Sequence, residues 1–123
     1  MAFKINHLHF KSPDPQKAAE WWVENLGAKI TWAAKPPYPA NLLLKLDGIT
    51  LHMTSFVKDQ ARPQKYGLEH ICLDTDDLDN ALKKLKASGA RLLEESTGFT
   101  GKKLFFFETP DGVLVEINPM VKK

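Results

Sequence analysis

Polar and apolar positions fall into an order that occurs twice along the chain. Residues 3 to 10 alternate, with Phe3, Ile5, His7 and His9 on one side and Lys4, Asn6, Leu8 and Phe10 on the other, which predicts a strand. The period then changes. Ala18, Ala19, Trp22 and Leu26 recur at helical spacing behind Asp14, an N-cap residue type, and Pro15, which suits the first helical position; Gly27 supplies a left-handed exit. Three strand-like runs follow, at about 28 to 33, 41 to 46 and 49 to 54. The order then returns. An apolar run from Ile71 to Leu73 precedes a helix that starts near Asp76 or Asp77, carries Leu78, Leu82 and Leu85, and stops at Ser88-Gly89; runs at 90 to 94, 103 to 108 and 113 to 118 complete it.

Three ordered anchors tie the two halves together. His7 answers His70 at an offset of 63, Gly27 answers Gly89 at 62, and the stretch from Asp47-Gly48 to His52 answers that from Asp111-Gly112 to Glu116 at 64. One unit is thus used twice, at about 1–57 and 66–120, within a single domain spanning 1–123. The join at 56 to 65 is polar with one proline and reads as a surface connection. Asp-Gly before the last strand of each unit is a dipeptide that tight hairpins prefer. The expected class is α+β, with two βαβββ units forming a cupped mixed sheet and helices on its outer face.

Composition narrows the function by exclusion. The net charge is +2, from 17 basic and 15 acidic residues, and gives no electrostatic case for nucleic acid or an anionic membrane. Apolar runs are only a few residues long, and no basic segment followed by an apolar one opens the chain, so no membrane span or export signal is expected. A single cysteine, Cys72, cannot form an internal disulfide; it fits a cytoplasmic location and reads as a small apolar core residue.

The histidines carry the candidate chemistry. The repeat pairs His7 with His70 on the first strand of each unit and His52 with Glu116 near the end of the last. All four side chains bind divalent metals, with His52 either a ligand or a group that supports the ligands from outside, and two or three imidazoles with one carboxylate suit Zn, Fe, Mn, Co or Ni while leaving positions for water and substrate. His9 shares a strand face with His7 and is the counterpart of Cys72, which suggests a substrate contact or proton shuttle. Two loops are candidate walls for a small-molecule substrate. One runs from Trp32 through Lys35-Pro36-Pro37 to Tyr38; the other, Ser96 to Lys103, contains Phe99 and the cations Lys102 and Lys103, which suit an anionic group. Phe105, Phe106 and Phe107 should alternate between faces, and Trp21 and Trp22 read as helix residues for the core or an interface.

Ile5-Asn6-His7-Leu8, Glu24-Asn25-Leu26-Gly27, Gly67-Leu68-Glu69-His70-Ile71 and Thr109-Pro110-Asp111-Gly112-Val113-Leu114-Val115-Glu116 give the chain a resemblance to a known family. Over nearly its whole length it resembles the vicinal oxygen chelate superfamily, which includes glyoxalase I, methylmalonyl-CoA epimerase, extradiol catechol dioxygenases, fosfomycin resistance proteins and bleomycin-binding proteins. The resemblance implies paired units around one divalent metal, ligands at the positions of His7, His52, His70 and Glu116, and a homodimer. Family members often carry Glu or Gln where His52 stands. The implied reaction is that of an isomerase, epimerase or lyase, by proton transfer next to a metal-chelated carbonyl, with Glu116 as ligand and general base and His9 as an alternative proton carrier. An Fe(II)-dependent dioxygenase and a non-catalytic drug- or metabolite-binding protein are the alternatives.

Overall fold

Both helices start where their capping chemistry places them. In the computed structural model, which describes residues 2–58, 60–98 and 101–120, helix α1 spans Pro15–Leu26: the Asp14 carboxylate accepts the Lys17 N–H at 3.1 Å, and Gly27 closes the helix at φ +78°. Helix α2, Leu78–Ala87, is capped by Asp77 on the Asn80 N–H at 3.3 Å and leaves through Ser88. The strands are β1 (Phe3–Lys11), β2 (Lys29–Ala33), β3 (Asn41–Leu46), β4 (Ile49–Thr54), β5 (Gly67–Thr75), β6 (Arg91–Thr97), β7 (Lys103–Glu108) and β8 (Leu114–Pro119). This is βαβββ twice, the α+β order expected from the sequence. No helix among the described residues is long and apolar enough to cross a membrane.

Two compact units divide the described chain, one covering His7–Glu69 and the other residues 2–6 with 70–120. In the first, the strands lie in the order β2-β3-β4-β1, with β4 and β1 parallel and the other pairs antiparallel. Leu8 and Phe10 of β1, Leu42, Leu44 and Leu46 of β3, and Leu51 and Met53 of β4 pack with Ala19, Trp22 and Val23 of α1. Trp22 lies with its ring 5.2 Å from that of Phe10, whereas Trp21 stays exposed, so only one of the two tryptophans serves the core. Burying alternate residues under α1 commits the intervening ones to the opposite face. Those are His7, His9, Leu43 and His52. Register aligns them further, because His9 faces His52, His52 faces Leu43, and Leu43 faces Trp32 across three adjacent strand pairs.

The second unit repeats this order as β5-β8-β7-β6, with β5 and β8 parallel. Cys72 faces Glu116 as His9 faces His52. Even the irregularity recurs: β2 shifts register between Ile30 and Trp32, and β6 between Leu92 and Glu94. Residues 2–6, which include the start of β1, are tied into this unit by the Ala2 N–H on Asp76 (2.8 Å) and the Asn6 amide on Asp74 (3.0 Å).

Three expectations change. Asp47-Gly48 forms a two-residue hairpin with φ of +49° and +78°, but Asp111-Gly112 does not. Residues 109–113 separate β7 from β8, closed by the Thr109 N–H on the Val113 carbonyl at 2.9 Å; Pro110 has no N–H with which to extend the ladder. β6 continues to Thr97 because Glu95, Ser96 and Thr97 pair with Phe105, Leu104 and Lys103, so Ser96 and Thr97 are strand rather than loop. The join is more than a surface connection. Gln60 and Gln64 accept from the buried Lys11 Nζ at 3.1 and 3.0 Å, and Arg62 and Lys11 lie 3.3 and 3.8 Å from the carboxylate of the buried Glu69.

Candidate functional site

In the first unit, the strand alternation that buries Leu8, Phe10, Leu51 and Met53 gathers three imidazoles on the other face. Ring centroids are 5.7 Å apart for His7 and His9, 5.2 Å for His7 and His52, and 4.4 Å for His9 and His52. One donor nitrogen from each lies within 4.8 Å of the others. Neighbouring side chains orient the rings. The His9 Nε2 meets the Thr54 hydroxyl at 2.8 Å, and the His52 Nε2 meets the Asn41 side-chain carbonyl. A carbonyl oxygen only accepts, so His52 carries its proton on Nε2 and its lone pair on Nδ1, the tautomer control common among metal-binding histidines.

The second unit holds a different set. His70, 2% exposed, donates from Nε2 to Glu116 Oε1 at 3.1 Å, while Cys72 Sγ and Asn118 Nδ2 donate to Oε2 at 3.2 and 2.8 Å. Phe106 presents its ring edge-to-face to His70 at 5.3 Å. Burial pushes the Glu116 carboxyl upward, but the His70 hydrogen bond and charge, followed by the Asn118 and Cys72 donors, outweigh it and bring the pKa down to about 2. Burial above all, then the Glu116 charge, drives the Cys72 thiol far up, so it stays protonated and is an inert donor rather than a nucleophile.

Each set fits a divalent ion by its own chemistry. Three imidazoles form a borderline nitrogen donor set that suits Zn, Co, Ni or Fe. The His70 and Glu116 atoms are 3.1 Å apart. That is close to the separation of neighbouring donors bound to one ion through bonds of about 2.0–2.2 Å.

The other expected site residues are placed less closely. Trp32 is exposed on β2 in the transverse row that contains Leu43, His52 and His9. Tyr38 is 74% exposed in the loop between β2 and β3. Lys102 is exposed at the turn between β6 and β7, and Lys103 pairs with Glu95 at 3.1 Å. Phe99 lies outside the described residues. The sequence reading missed Thr54 and Asn118, although a signal was present: they stand two residues beyond His52 and Glu116, on the same strand face and at the repeat offset of 64. Asn41 had none, since only the register of β3 against β4 brings it to His52.

A family model described as the Glyoxalase/Bleomycin resistance protein/Dioxygenase superfamily matches residues 4–117. The chain belongs to this superfamily. Human mitochondrial methylmalonyl-CoA epimerase is 29% identical over 130 residues, covering 93% of this chain and 72% of the human protein. Among solved structures, a hypothetical protein from Bacillus halodurans matches with a TM-score of 0.77 at 15% identity, covering 100% of this chain and 98% of that one. Methylmalonyl-CoA epimerase from Mycobacterium tuberculosis matches with a TM-score of 0.69 at 19% identity, covering 96% and 88%. At such identities the structural matches speak for the fold. The expectation of a glyoxalase-like enzyme of the isomerase or epimerase kind agrees with the human relative.

Proposed function

We propose that this superfamily member is a divalent-metal-dependent epimerase that moves a proton at a carbon next to a carbonyl, with His7, His52, His70 and Glu116 as its metal ligands. The observation that carries the reading is the buried His70–Glu116 pair, in which three donors keep a carboxylate ionised beside an imidazole. The repeat supports drawing the other two ligands from His7 and His52, their sequence equivalents. The bound ion supplies Lewis acidity that offsets negative charge developing on substrate oxygens. Zn, Co and Ni suit these ligands best, since imidazole makes up most of the set.

Glu116 is the proton acceptor in this reading. The donors that hold it ionised make it ready to take a proton and weaken it as a base, so it needs a substrate C–H acidified by two flanking carbonyls. A 2-substituted malonyl thioester has such a carbon, and the name of the human relative supports methylmalonyl-CoA as the first substrate to try. Trp32, in line with His52 and His9, is the best supported of the substrate-contact residues; Tyr38 and Lys102 are exposed enough to join it, whereas Lys103 would first have to leave Glu95. The reading includes a homodimer, which sedimentation analysis would detect.

The test is washout of the α-proton of methylmalonyl-CoA in D2O, followed by NMR, on protein loaded in turn with Zn²⁺, Co²⁺ and Ni²⁺. Exchange that disappears in Glu116→Gln, with metal still bound, supports the assignment. Absence of exchange with every ion would overturn it.

A further inference from the structure

His9 is the residue whose sequence role the geometry alters most. Its repeat counterpart, Cys72, spends its thiol on Glu116, whereas His9 brings a third imidazole to His7 and His52, which lie on one face of the paired strands β1 and β4. We infer that His7, His9 and His52 form a tri-imidazole site for a divalent transition ion, complete within the first repeat. His9 then acts as a ligand and not as the proton carrier anticipated from the sequence. The inference rests on the proposed function for His7 and His52 and adds His9 to the ligands of the same ion, so that the first repeat alone supplies three donors.

Four features support this site. The donors come from a His-x-His pair on β1 and from His52, which faces His9 in the parallel β1–β4 register, so a regular backbone rather than a loop fixes their spacing. Ligand nitrogens about 2.0–2.1 Å from an ion lie roughly 3–3.5 Å apart, and these lie within 4.8 Å; small side-chain rotations close the set. Asn41 and Thr54 supply the outer hydrogen bonds that hold ligand rings in one orientation. Three imidazoles are also a known ligand set for catalytic zinc, leaving a position for water or substrate.

The test uses the full chain carrying His70→Ala and Glu116→Gln, which lacks the donors of the second repeat. Equilibrium dialysis against Co²⁺ should find one ion per chain, and adding His9→Phe should weaken binding by at least ~100-fold, more than the loss of an outer-shell partner does. In the same background, spin-echo spectroscopy of the Cu²⁺-loaded protein should count three imidazoles, falling to two with His9→Asn, which keeps a polar group for Thr54. A count of two before His9 is changed, or a shift below twofold on changing it, overturns the inference. If His9→Phe fails to fold by circular dichroism, the imidazole count still decides. Outcomes for the proposed function separate cleanly. Normal α-proton exchange in a protein whose metal affinity ignores His9 sinks only this inference, and tri-imidazole binding without exchange sinks only the epimerase reading.

Discussion

Glu69 offers the sharpest test of how the first unit is held together. Its side chain is 1% exposed and faces two cations, Arg62 at 3.3 Å and Lys11 at 3.8 Å, whose side chains are 8% and 3% exposed. At an effective dielectric near 20, each contact is worth roughly 4–5 kcal/mol before desolvation, and withdrawing the carboxylate and the two cations from water costs several kcal/mol for each ion. The pair energies therefore nearly cancel in the native protein. The imbalance appears when one partner is removed. Glu69→Gln leaves two buried cations facing neutral amides, a situation that destabilises by about 3–5 kcal/mol. With a slope of about 4 °C per kcal/mol for a chain of this size, Tm should fall by roughly 12–20 °C in calorimetry or thermal circular dichroism. Lys11→Met is the control. It leaves Glu69 with Arg62 and removes a cation whose pKa burial already pushes down, but it also takes a donor from Gln60 and Gln64, so the loss should stay under about 3 kcal/mol and below that of Glu69→Gln. A fall of less than about 4 °C in Glu69→Gln, or a larger loss in Lys11→Met, would refute the reasoning.

In metal-free protein, the Glu116 pKa of about 2 against an ordinary 4.5 gives stability that is fully present above pH 4.5 and lost as pH falls toward 2; urea titrations across that window should flatten in Glu116→Gln. Asn41→Ala frees the ring that it orients and should weaken binding of Zn²⁺ by about 10–100-fold, read by competition with a chromophoric chelator, with little change in Tm of the metal-free protein. Saturation with the ion at 100 times its Kd should stabilise the chain by about 2.7 kcal/mol, and a chelator should reverse the gain in Tm. Leu44→Ala opens a cavity at a fully buried position under α1 and should cost about 2–5 kcal/mol by urea denaturation, without altering metal stoichiometry.

The elements were legible in the sequence because each boundary has a local cause. Asp14 and Asp77 cap backbone N–H groups three residues on, Gly27 takes a left-handed φ, and alternating apolar residues find one buried face. The Asp111-Gly112 turn misled because its neighbour Pro110 changes the ladder, a competition that a dipeptide rule does not weigh. Lys11 and Glu69 were illegible for a different reason. Each looks like an ordinary polar strand residue, and only tertiary packing of the 60–64 segment gives them charged and amide partners inside the protein. Asn41 escaped because its role depends on the register of β3 against β4, set by a two-residue turn at Asp47-Gly48.

The repeat also explains why the two units carry unlike donors on one scaffold. His9 facing His52 and Cys72 facing Glu116 occupy the same place in the same parallel register, and Thr54 and Asn118 follow in both. In the first unit the facing pair can vary without touching the residues packed under α1, because His9 and His52 lie on the opposite face of their strands. In the second unit the thiol and amide serve a charged group that must stay ionised while buried. At the equivalent positions of the first unit stand His9 and His52, whose rings meet a hydroxyl and a carbonyl. A Cys72→Ala exchange, which puts a side chain without a donor at this position, therefore removes one of the three donors on Glu116. It should raise the Glu116 pKa toward the ordinary carboxylate range, which a pH titration of metal-free protein would detect as a shift of the acid transition to higher pH; an unmoved transition would mean that His70 and Asn118 alone hold the carboxylate.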